Sequence, residues 1–298
     1  MTHDLGHDPR AHEPAPGDPD AGETVDDTAP TRSSSPGVFA GAAVGAASFG
    51  SMMAMFVDSV LVTIRALFKR RFPWWEFLEQ MRFMASVSLL PTILIAIPFG
   101  LVLVLTVGGL TSQVGAASLV GGVNAVATVR QAAPIISGIV LAGAGGSAIC
   151  ADLGSRTIRT EIAAMRVMAV DPLERLVAPR ILATMIVSIL LNGVVAFVGI
   201  ISGYLSAVFL LDSSAGGFLN SFSAFSQPAD LLESMLKAAI FGVIAALVAC
   251  FQGLNASHGP AGVGDAVNRS VVQTGVLLFV INLVLSQVFL LAAPPRIG

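Results

Sequence analysis

The sequence has few charged residues and few of the side chains that enzymes use for chemistry. Only 12% of its 298 residues are Asp, Glu, Lys or Arg, about half the share found in soluble domains. It has two cysteines, outside any CxxC pair, and a single histidine beyond residue 36, which argues against a metal site or a disulfide framework. Neither of its two lysines follows a glycine-rich loop, so the sequence has no phosphate-binding motif of the Walker A type. We therefore expect no catalytic residues, no cofactor and no ATPase activity in this chain.

Long uncharged runs dominate the rest of the sequence. Hydrophobic residues make up 54% of the chain, and the mean hydropathy is +0.81. A membrane-spanning helix needs about 20 apolar residues, and this length predicts an all-α integral membrane protein. Within a membrane domain at residues 73–298, we expect five transmembrane helices at about 84–110, 131–153, 172–211, 232–253 and 268–293. The stretch between the first two, rich in Gly, Ser and Asn, is predicted to be a loop.

The N-terminal part has a different composition. Of the first 36 residues, 14 are Asp, Glu or Pro, which predicts a disordered tail over residues 1–36. Apolar residues then recur with helical spacing, and this pattern predicts an interfacial amphipathic helix at 38–72. The alternative is a sixth span over 38–64. Basic residues followed by paired tryptophans are typical of an anchor at headgroup level, here Lys69, Arg70, Arg71, Trp74 and Trp75.

The distribution of Lys and Arg predicts the orientation. With the amphipathic segment on the cytoplasmic side, that side holds 13 basic residues and the opposite side holds three, Arg130, Lys237 and Arg296. The positive-inside rule then places the N-terminus in the cytoplasm and the C-terminus outside. This balance is too mild to indicate binding of nucleic acid.

The predicted spans contain polar but no central charged residues. Amides at membrane depth either bond across helices or contact a substrate, and the candidates for a cavity lining are Asn192, Gln273 and Asn282. Ion-coupled carriers usually place charges at this depth, so the pattern argues against one. Small residues recur every four positions, as in Gly138-Ala142-Gly146-Cys150, and predict close packing of helices. An internal path lined by the remaining side chains would suit lipid-like molecules.

A charged island at residues 156–180 separates two uncharged runs. It holds five of the sixteen basic residues of the chain. An apolar stripe at Ile158, Ile162 and Met165 predicts a short helix at about 157–170, and Asp171-Pro172 reads as the start of the next helix, kinked near Pro179. From these residues alone, the short helix is either an interfacial helix or a coupling helix that docks on a cytoplasmic motor.

The middle of the sequence resembles a known family. The run SGIVLAGAGGSAICADLGSRTIRTEIAAMRVMAVDPLERLVAPRILA, together with FGVIAALVACFQGLNASHGPAGVGDAVNRSVV and RRFPWWEFLEQMRFMASVSLLPTILIAIPFG, resembles the MlaE/YrbE permeases. The stretch ICADLGSRTIR is similar to A-type YrbE subunits of actinobacterial Mce systems. The resemblance covers about residues 38–293.

The resemblance implies a permease subunit of an ABC-type lipid transporter in the inner membrane. Its implied partners are a cytoplasmic ATPase dimer, a second YrbE-type permease of the B type, MCE-domain proteins and membrane lipids. It also implies that the short helix contacts the ATPase, although Ala163 stands where family members often have Asp. The implied coupling residues are Ile158, Glu161, Ile162, Met165, Arg166 and Asp171. A secondary carrier or channel and a non-transporting scaffold remain the alternatives.

Overall fold

The computed structural model describes residue 50 and residues 74–113, 115, 119–257 and 259–292. The predicted tail at 1–36 and, apart from residue 50, the predicted interfacial helix at 38–72 lie outside these residues, as do Lys69, Arg70 and Arg71. The described part of the chain is all-helical, as the sequence predicts. Five of its helices are long and apolar enough to cross a membrane, as predicted for this part of the sequence, whereas the alternative sixth span at 38–64 falls outside the described residues except for residue 50.

Seven helices follow one another along the described chain. The two short ones are α3 (Glu161–Val167) and α5 (Ala215–Phe225). The five long ones are α1 (Trp74–Gln113), α2 (Val120–Ile158), α4 (Leu173–Leu210), α6 (Pro228–Leu254) and α7 (Pro260–Ala292). Short connections make successive long helices run in opposite directions. Residues 152–180 and the end of α6 therefore share one end of the bundle, which we name the α3 end.

Two helical stretches lie where the sequence predicts no helix. The second span begins at Val120, although the sequence places residues up to 130 in a loop. Its small residues serve close packing on α5, because a Cβ on Gly122 would lie 3.1 Å from the backbone oxygen of Ser221. Helix α5 itself is not among the predicted elements. It begins after Ser214, whose side chain accepts a hydrogen bond of 3.2 Å from the backbone amide of Gly217, an arrangement typical of a helix N-cap.

Helices α2 and α6 form the centre of the bundle. In each, 67% of the most apolar stretch is buried, whereas the corresponding share is 22% in α1 and 11% in α7. Helix α6 packs against α2, α4 and α7, and α1 packs along α4. The central cluster of buried side chains includes Met84, Leu141, Leu153, Leu191 and Leu247. Within the described part of the chain, α1 and α7 consequently leave most of their apolar surface uncovered.

Small residues allow α6 to approach its neighbours at backbone distance. A Cβ on Gly242 would lie 2.7 Å from Cβ of Ser188 and 2.8 Å from the backbone oxygen of Thr184, both in α4. A Cβ on Gly253 would lie 2.9 Å from the backbone oxygen of Cys150 in α2. The close packing predicted for small residues is therefore confirmed at Gly242 and at Cys150, which Gly253 meets, and glycine is the residue that fits at both 242 and 253.

The regular winding of two spans is interrupted by π-helical turns. Helix α2 contains two, at Ala127–Ala132 and Leu141–Gly146. Helix α4 begins with another, Leu173–Val177, directly before Pro179. Such turns are rare and occur often at functional sites. The kink predicted near Pro179 coincides with the last of these turns.

We expect Gly242→Ala to destabilise the protein by about 1–3 kcal/mol, because the added methyl group overpacks the contact between α4 and α6. Thermal unfolding in detergent can be followed with a thiol-reactive dye, since both Cys150 and Cys250 are buried. The matched control is Gly193→Ala in α4, where an added Cβ meets nothing within 4 Å. Equal unfolding temperatures for the two variants would contradict the packing argument.

Candidate functional site

The short helix α3 is held between two turns of unusual backbone geometry. Thr160 and Ala169 both have a φ of 58°, in the left-handed region that disfavours residues with a Cβ. At the C-terminal turn, the amides of Ala169 and Val170 donate to the backbone oxygens of Arg166 and Met165. This is the hydrogen-bond pattern of a Schellman motif. The two turns set α3 off from α2 and α4 as a separate element.

The residues predicted to couple to an ATPase fall on different faces of this segment. Ile162 is buried and anchors α3, whereas Ile158 and Met165 are half-buried. Glu161 and Arg166 are exposed, and Glu161 forms an ion pair of 3.2 Å with Arg159. The Oδ1 atom of Asp171 accepts a hydrogen bond of 2.9 Å from the backbone amide of Leu173. Asp171 therefore caps the next helix, while Glu161 and Arg166 are available to a partner.

Two large apolar residues of the same segment were missed by the sequence reasoning. Val167 is 89% exposed and Met168 is 66% exposed, next to the exposed Arg166. Both lie off the apolar stripe that defined the helix. A pair of large apolar residues inside a charged loop was the signal for them. An exposed apolar patch with a charged rim is typical of a protein-binding surface, which we name the α3 surface: Glu161, Arg166, Val167 and Met168.

Four charged side chains form an ion-pair cluster near the opposite end of the bundle. Arg130, in the first π-helical turn of α2, pairs with Asp230, and its Nε donates to Oδ1 of that residue over 2.9 Å. Lys237 pairs with Glu233 over 2.6 Å. The Nζ atom of Lys237 also donates to the Oγ of Ser286 in α7 over 3.1 Å. The ion-pair cluster of Arg130, Asp230, Glu233 and Lys237 thus joins α2, α6 and α7.

Lys237 is fully buried within a span. The charge count assigns it to the side opposite the α3 end, and the predicted span at 232–253 includes it. In the structure it lies in α6 with none of its surface exposed, roughly 13 Å from the start of the helix. Glu233, the backbone oxygen of Arg130 and Ser286 surround the ammonium group, and such pairing offsets the desolvation of a buried charge. Helix α6 therefore carries a buried ion pair, a feature that ion-coupled carriers also use. The spacing i, i+3 and i+7 of Asp230, Glu233 and Lys237 marks one helical face and was the signal for the cluster.

The three predicted cavity residues occupy three different environments. Asn192 is buried and exchanges hydrogen bonds of 2.9 and 3.0 Å with Ser234, which joins α4 to α6. Gln273 accepts a hydrogen bond of 2.6 Å from Gln252. Asn282 lies beside the ion-pair cluster and donates to Gln131 over 3.4 Å. All three amides bond between helices, and Asn282 is the one that lies near the ion-pair cluster, through Gln131 next to Arg130.

The predicted anchor residues that the structure describes lie at the start of α1. Trp74 is 58% exposed and Trp75 is 80% exposed. They stand at the α3 end of the bundle, because Glu76 in the next position pairs with Arg175 at the start of α4 over 3.6 Å. Exposed tryptophans at the end of an apolar helix are typical of the headgroup region of a membrane.

Comparison with known proteins gives one family for this arrangement. Residues 77–288 match the family described as Permease MlaE. A probable ABC transporter permease protein of Synechocystis is 32% identical over 70% of this chain and 80% of its own length. The intermembrane phospholipid transport system permease protein MlaE of Haemophilus influenzae is 28% identical, over 70% and 81%. The chloroplastic protein TRIGALACTOSYLDIACYLGLYCEROL 1 of Arabidopsis thaliana is 29% identical, over 76% and 65%.

For the ion-pair cluster, we expect Lys237→Met to cost about 3–5 kcal/mol of stability, because it leaves the largely buried Glu233 without its cation. Thermal unfolding in detergent measures the effect. The double variant Glu233→Gln, Lys237→Met removes both charges, and it should recover at least half of the loss. If the single and double variants unfold at the same temperature, the two charges are not energetically coupled.

Proposed function

The chain belongs to the MlaE permease family, and from this premise we propose that it is the permease subunit of an ABC-type lipid transporter. As a member of this family it is a multi-pass inner membrane protein and a component of membrane transport rather than an enzyme. An ABC permease works with an ATPase and further components. Its proposed cargo is a lipid or a sterol-like hydrophobic molecule, moved across the inner membrane.

The observation that carries the proposal is the exposure of the α3 surface. Buried Ile162 fixes α3 to the bundle, while Val167 and Met168 stand out beside Glu161 and Arg166. A small apolar patch with a charged rim, held rigidly at the start of a span, suits docking of a separate motor protein. We propose that Glu161, Met165 and Arg166 contact the ATPase, and we add Val167 and Met168 to this set. Ala163 is also exposed, so the surface at this position lacks the acidic group common in the family.

Helix α2 connects the α3 surface with the ion-pair cluster. It ends at Ile158, two residues before Thr160, and it carries Arg130 near its other end. Arg130 lies in the first π-helical turn of α2 and the second follows at Leu141–Gly146, and such turns occur often at functional sites. We propose that movement of α3 with the ATPase passes along α2 and shifts its contacts with α6 and α7.

The nature of the cargo is supported by the surface of the bundle and by the relatives. The side chains that α1 and α7 leave uncovered are large and apolar, among them Leu90, Leu94, Phe279, Leu283 and Leu291. One relative is named as a phospholipid transport permease. Such a surface suits contact with lipid tails and with a second permease. We propose a B-type YrbE subunit as that second permease, together with MCE-domain proteins on the opposite side of the membrane.

The proposed orientation has the α3 end in the cytoplasm. Among the described residues, this end holds Arg156, Arg159, Arg166, Arg175 and Arg180. The described basic residues of the opposite end, Arg130 and Lys237, are both paired with carboxylates. The excess of basic residues therefore falls at the α3 end, as the positive-inside rule requires of a cytoplasmic side. The N-terminus is then cytoplasmic and the C-terminus lies outside.

We expect Glu161→Arg combined with Val167→Asp to weaken binding of the partner ATPase about tenfold or more, because it reverses a charge and places a carboxylate in the apolar patch. The amount of ATPase that copurifies with the membrane-inserted permease measures this effect. Leu219→Asp is the matched control, since Leu219 is 56% exposed on α5, away from the α3 surface. Unchanged copurification of the ATPase with the double variant would refute the coupling surface.

We expect lipid movement by the reconstituted complex to require ATP hydrolysis. A headgroup-labelled phospholipid in proteoliposomes should cross the membrane with ATP and with an active ATPase. It should remain in place when the ATPase carries a substitution that abolishes hydrolysis. Movement that persists with the inactive ATPase would indicate a secondary carrier. The scaffold alternative predicts no movement under either condition and no crosslinks between a photoactivatable lipid and the permease.

A further inference from the structure

A polar cavity of about 410 Å³ opens at the α3 end, between the starts of α1 and α4 and the last turns of α2. Its volume lies within the about 300–1,000 Å³ that is typical of small-molecule sites. The residues of the α3 surface and of the ion-pair cluster are not part of its lining. Its charged lining residues are three carboxylates and three guanidinium groups: Glu76, Glu79, Asp152, Arg156, Arg175 and Arg180.

Arg180 is the deepest of these groups. It is 6% exposed, and its Nη2 atom pairs with Asp152. Its Nη1 atom is buried and has no hydrogen-bond partner in the described part of the chain. Buried polar groups in proteins nearly always have a partner, and a buried donor on a charged group is costly to leave without one. An anionic oxygen in the cavity would supply the missing acceptor.

The remaining pairs leave hydrogen-bonding capacity for a ligand. Asp152 accepts from Nε of Arg156 over 3.2 Å, so one carboxylate serves two arginines. Arg175 and Glu76 are 3.6 Å apart, which is longer than a hydrogen bond. Each guanidinium offers five N–H donors in a geometry that matches phosphate. The lining therefore has donors in excess.

The charge balance of the lining indicates which ligand would fit. Three cationic and three anionic side chains make the site formally neutral, so a lone phosphate would meet the field of the carboxylates as well as that of the arginines. A ligand with both a phosphate and an ammonium group could place the first near Arg180 and Arg156. Its ammonium group could then lie near Glu79, which is exposed at the rim.

The position of the cavity indicates the source of such a ligand. Trp74 and Trp75, exposed at the start of α1, lie next to Glu76 of the lining, at the level where aromatic belts meet lipid headgroups. The apolar side chains of Phe83 and Leu176 also line the cavity. We propose that this cavity binds the zwitterionic phosphate-and-ammonium headgroup of a phospholipid in the adjacent leaflet. This binding requires neither the ATPase nor transport, so it goes beyond the proposed function.

The test uses the full-length chain in a non-ionic detergent and the fluorescence of Trp74 and Trp75, which are its two tryptophans. Glycerophosphoethanolamine carries both charged groups without acyl chains, and it should change the emission in a saturable way. Inorganic phosphate alone and ethanolamine alone should each bind at least about tenfold more weakly, because each engages half of the site. Equal binding of inorganic phosphate would contradict a zwitterionic site.

A second measurement separates a lipid headgroup from a soluble ester. In vesicles of phosphatidylglycerol, a small fraction of phosphatidylethanolamine with brominated chains should quench the tryptophans more than the same fraction of brominated phosphatidylglycerol. Preferential quenching together with saturable binding of the soluble headgroup supports the proposal. Saturable binding of the soluble ester without preferential quenching would overturn the assignment to a lipid.

Variants at the rim keep the proposal testable, because Arg180→Gln removes a buried partner of Asp152 and could prevent folding. We expect Arg156→Gln to weaken binding of glycerophosphoethanolamine and of phosphate, each about tenfold. Glu79→Gln should weaken binding of glycerophosphoethanolamine, which carries the ammonium group, and leave binding of phosphate unchanged. Arg159→Gln is the matched control, since Arg159 is exposed at the same end and does not line the cavity. Wild-type binding by both rim variants, or an equal loss in the control, would refute the site.

Discussion

The bundle depends on how closely α6 approaches the helices around it. In a lipid environment, helices gain little from removing apolar surface from water, so close packing and hydrogen bonds between them must hold the fold together. Gly242 against Ser188 and Gly253 against Cys150 bring α6 to backbone distance from α4 and α2. Ser188 then donates to the backbone oxygen of Ala238 over 2.7 Å, a contact that larger residues would prevent. The same approach brings the polar face of α6 within reach of Arg130 and Ser286.

Charged groups are concentrated near the two ends of the bundle and are paired there in different ways. Near one end, Lys237 and Glu233 are largely sealed inside the protein, and Arg130 and Asp230 close the gap between α2 and α6. At the α3 end, Asp152 holds Arg180 and Arg156 beside an open cavity. A sealed ion pair fixes the relative positions of helices, because separation leaves an uncompensated charge. Open arginines beside a cavity remain available to a ligand. Helix α2, which carries Arg130 and Asp152, belongs to both arrangements.

The spans could be predicted from the sequence because length and hydropathy are properties of a single segment. The same is true of α3, because the stripe that predicts it, with Ile162 and Met165, is local in the chain. The ion-pair cluster could not be assembled in this way, since Arg130 and Asp230 are 100 residues apart and each looks like a loop charge by itself. The glycine-rich start of α2 resembles a loop in sequence for a related reason. Its small residues pack on α5, and the local composition does not indicate that this distant helix is there. The helix predicted at 38–72 lies outside the described residues and stays a prediction.

The separation of charged from apolar surface bears on the proposed transport of lipids. A phospholipid has a charged headgroup that resists entry into hydrocarbon and tails that do not, so a permease has to lower the barrier for the headgroup alone. In this chain, charged and polar groups meet on α2 and α6, the two most buried spans, while α1 and α7 present apolar side chains outwards. The second π-helical turn of α2 contains Gly143, Gly145 and Gly146, and Gly145 packs so closely on α1 that a Cβ there would lie 2.9 Å from the Sδ atom of Met84. Movement of α2 with α3, as proposed above, would therefore have to change this contact between α2 and α1.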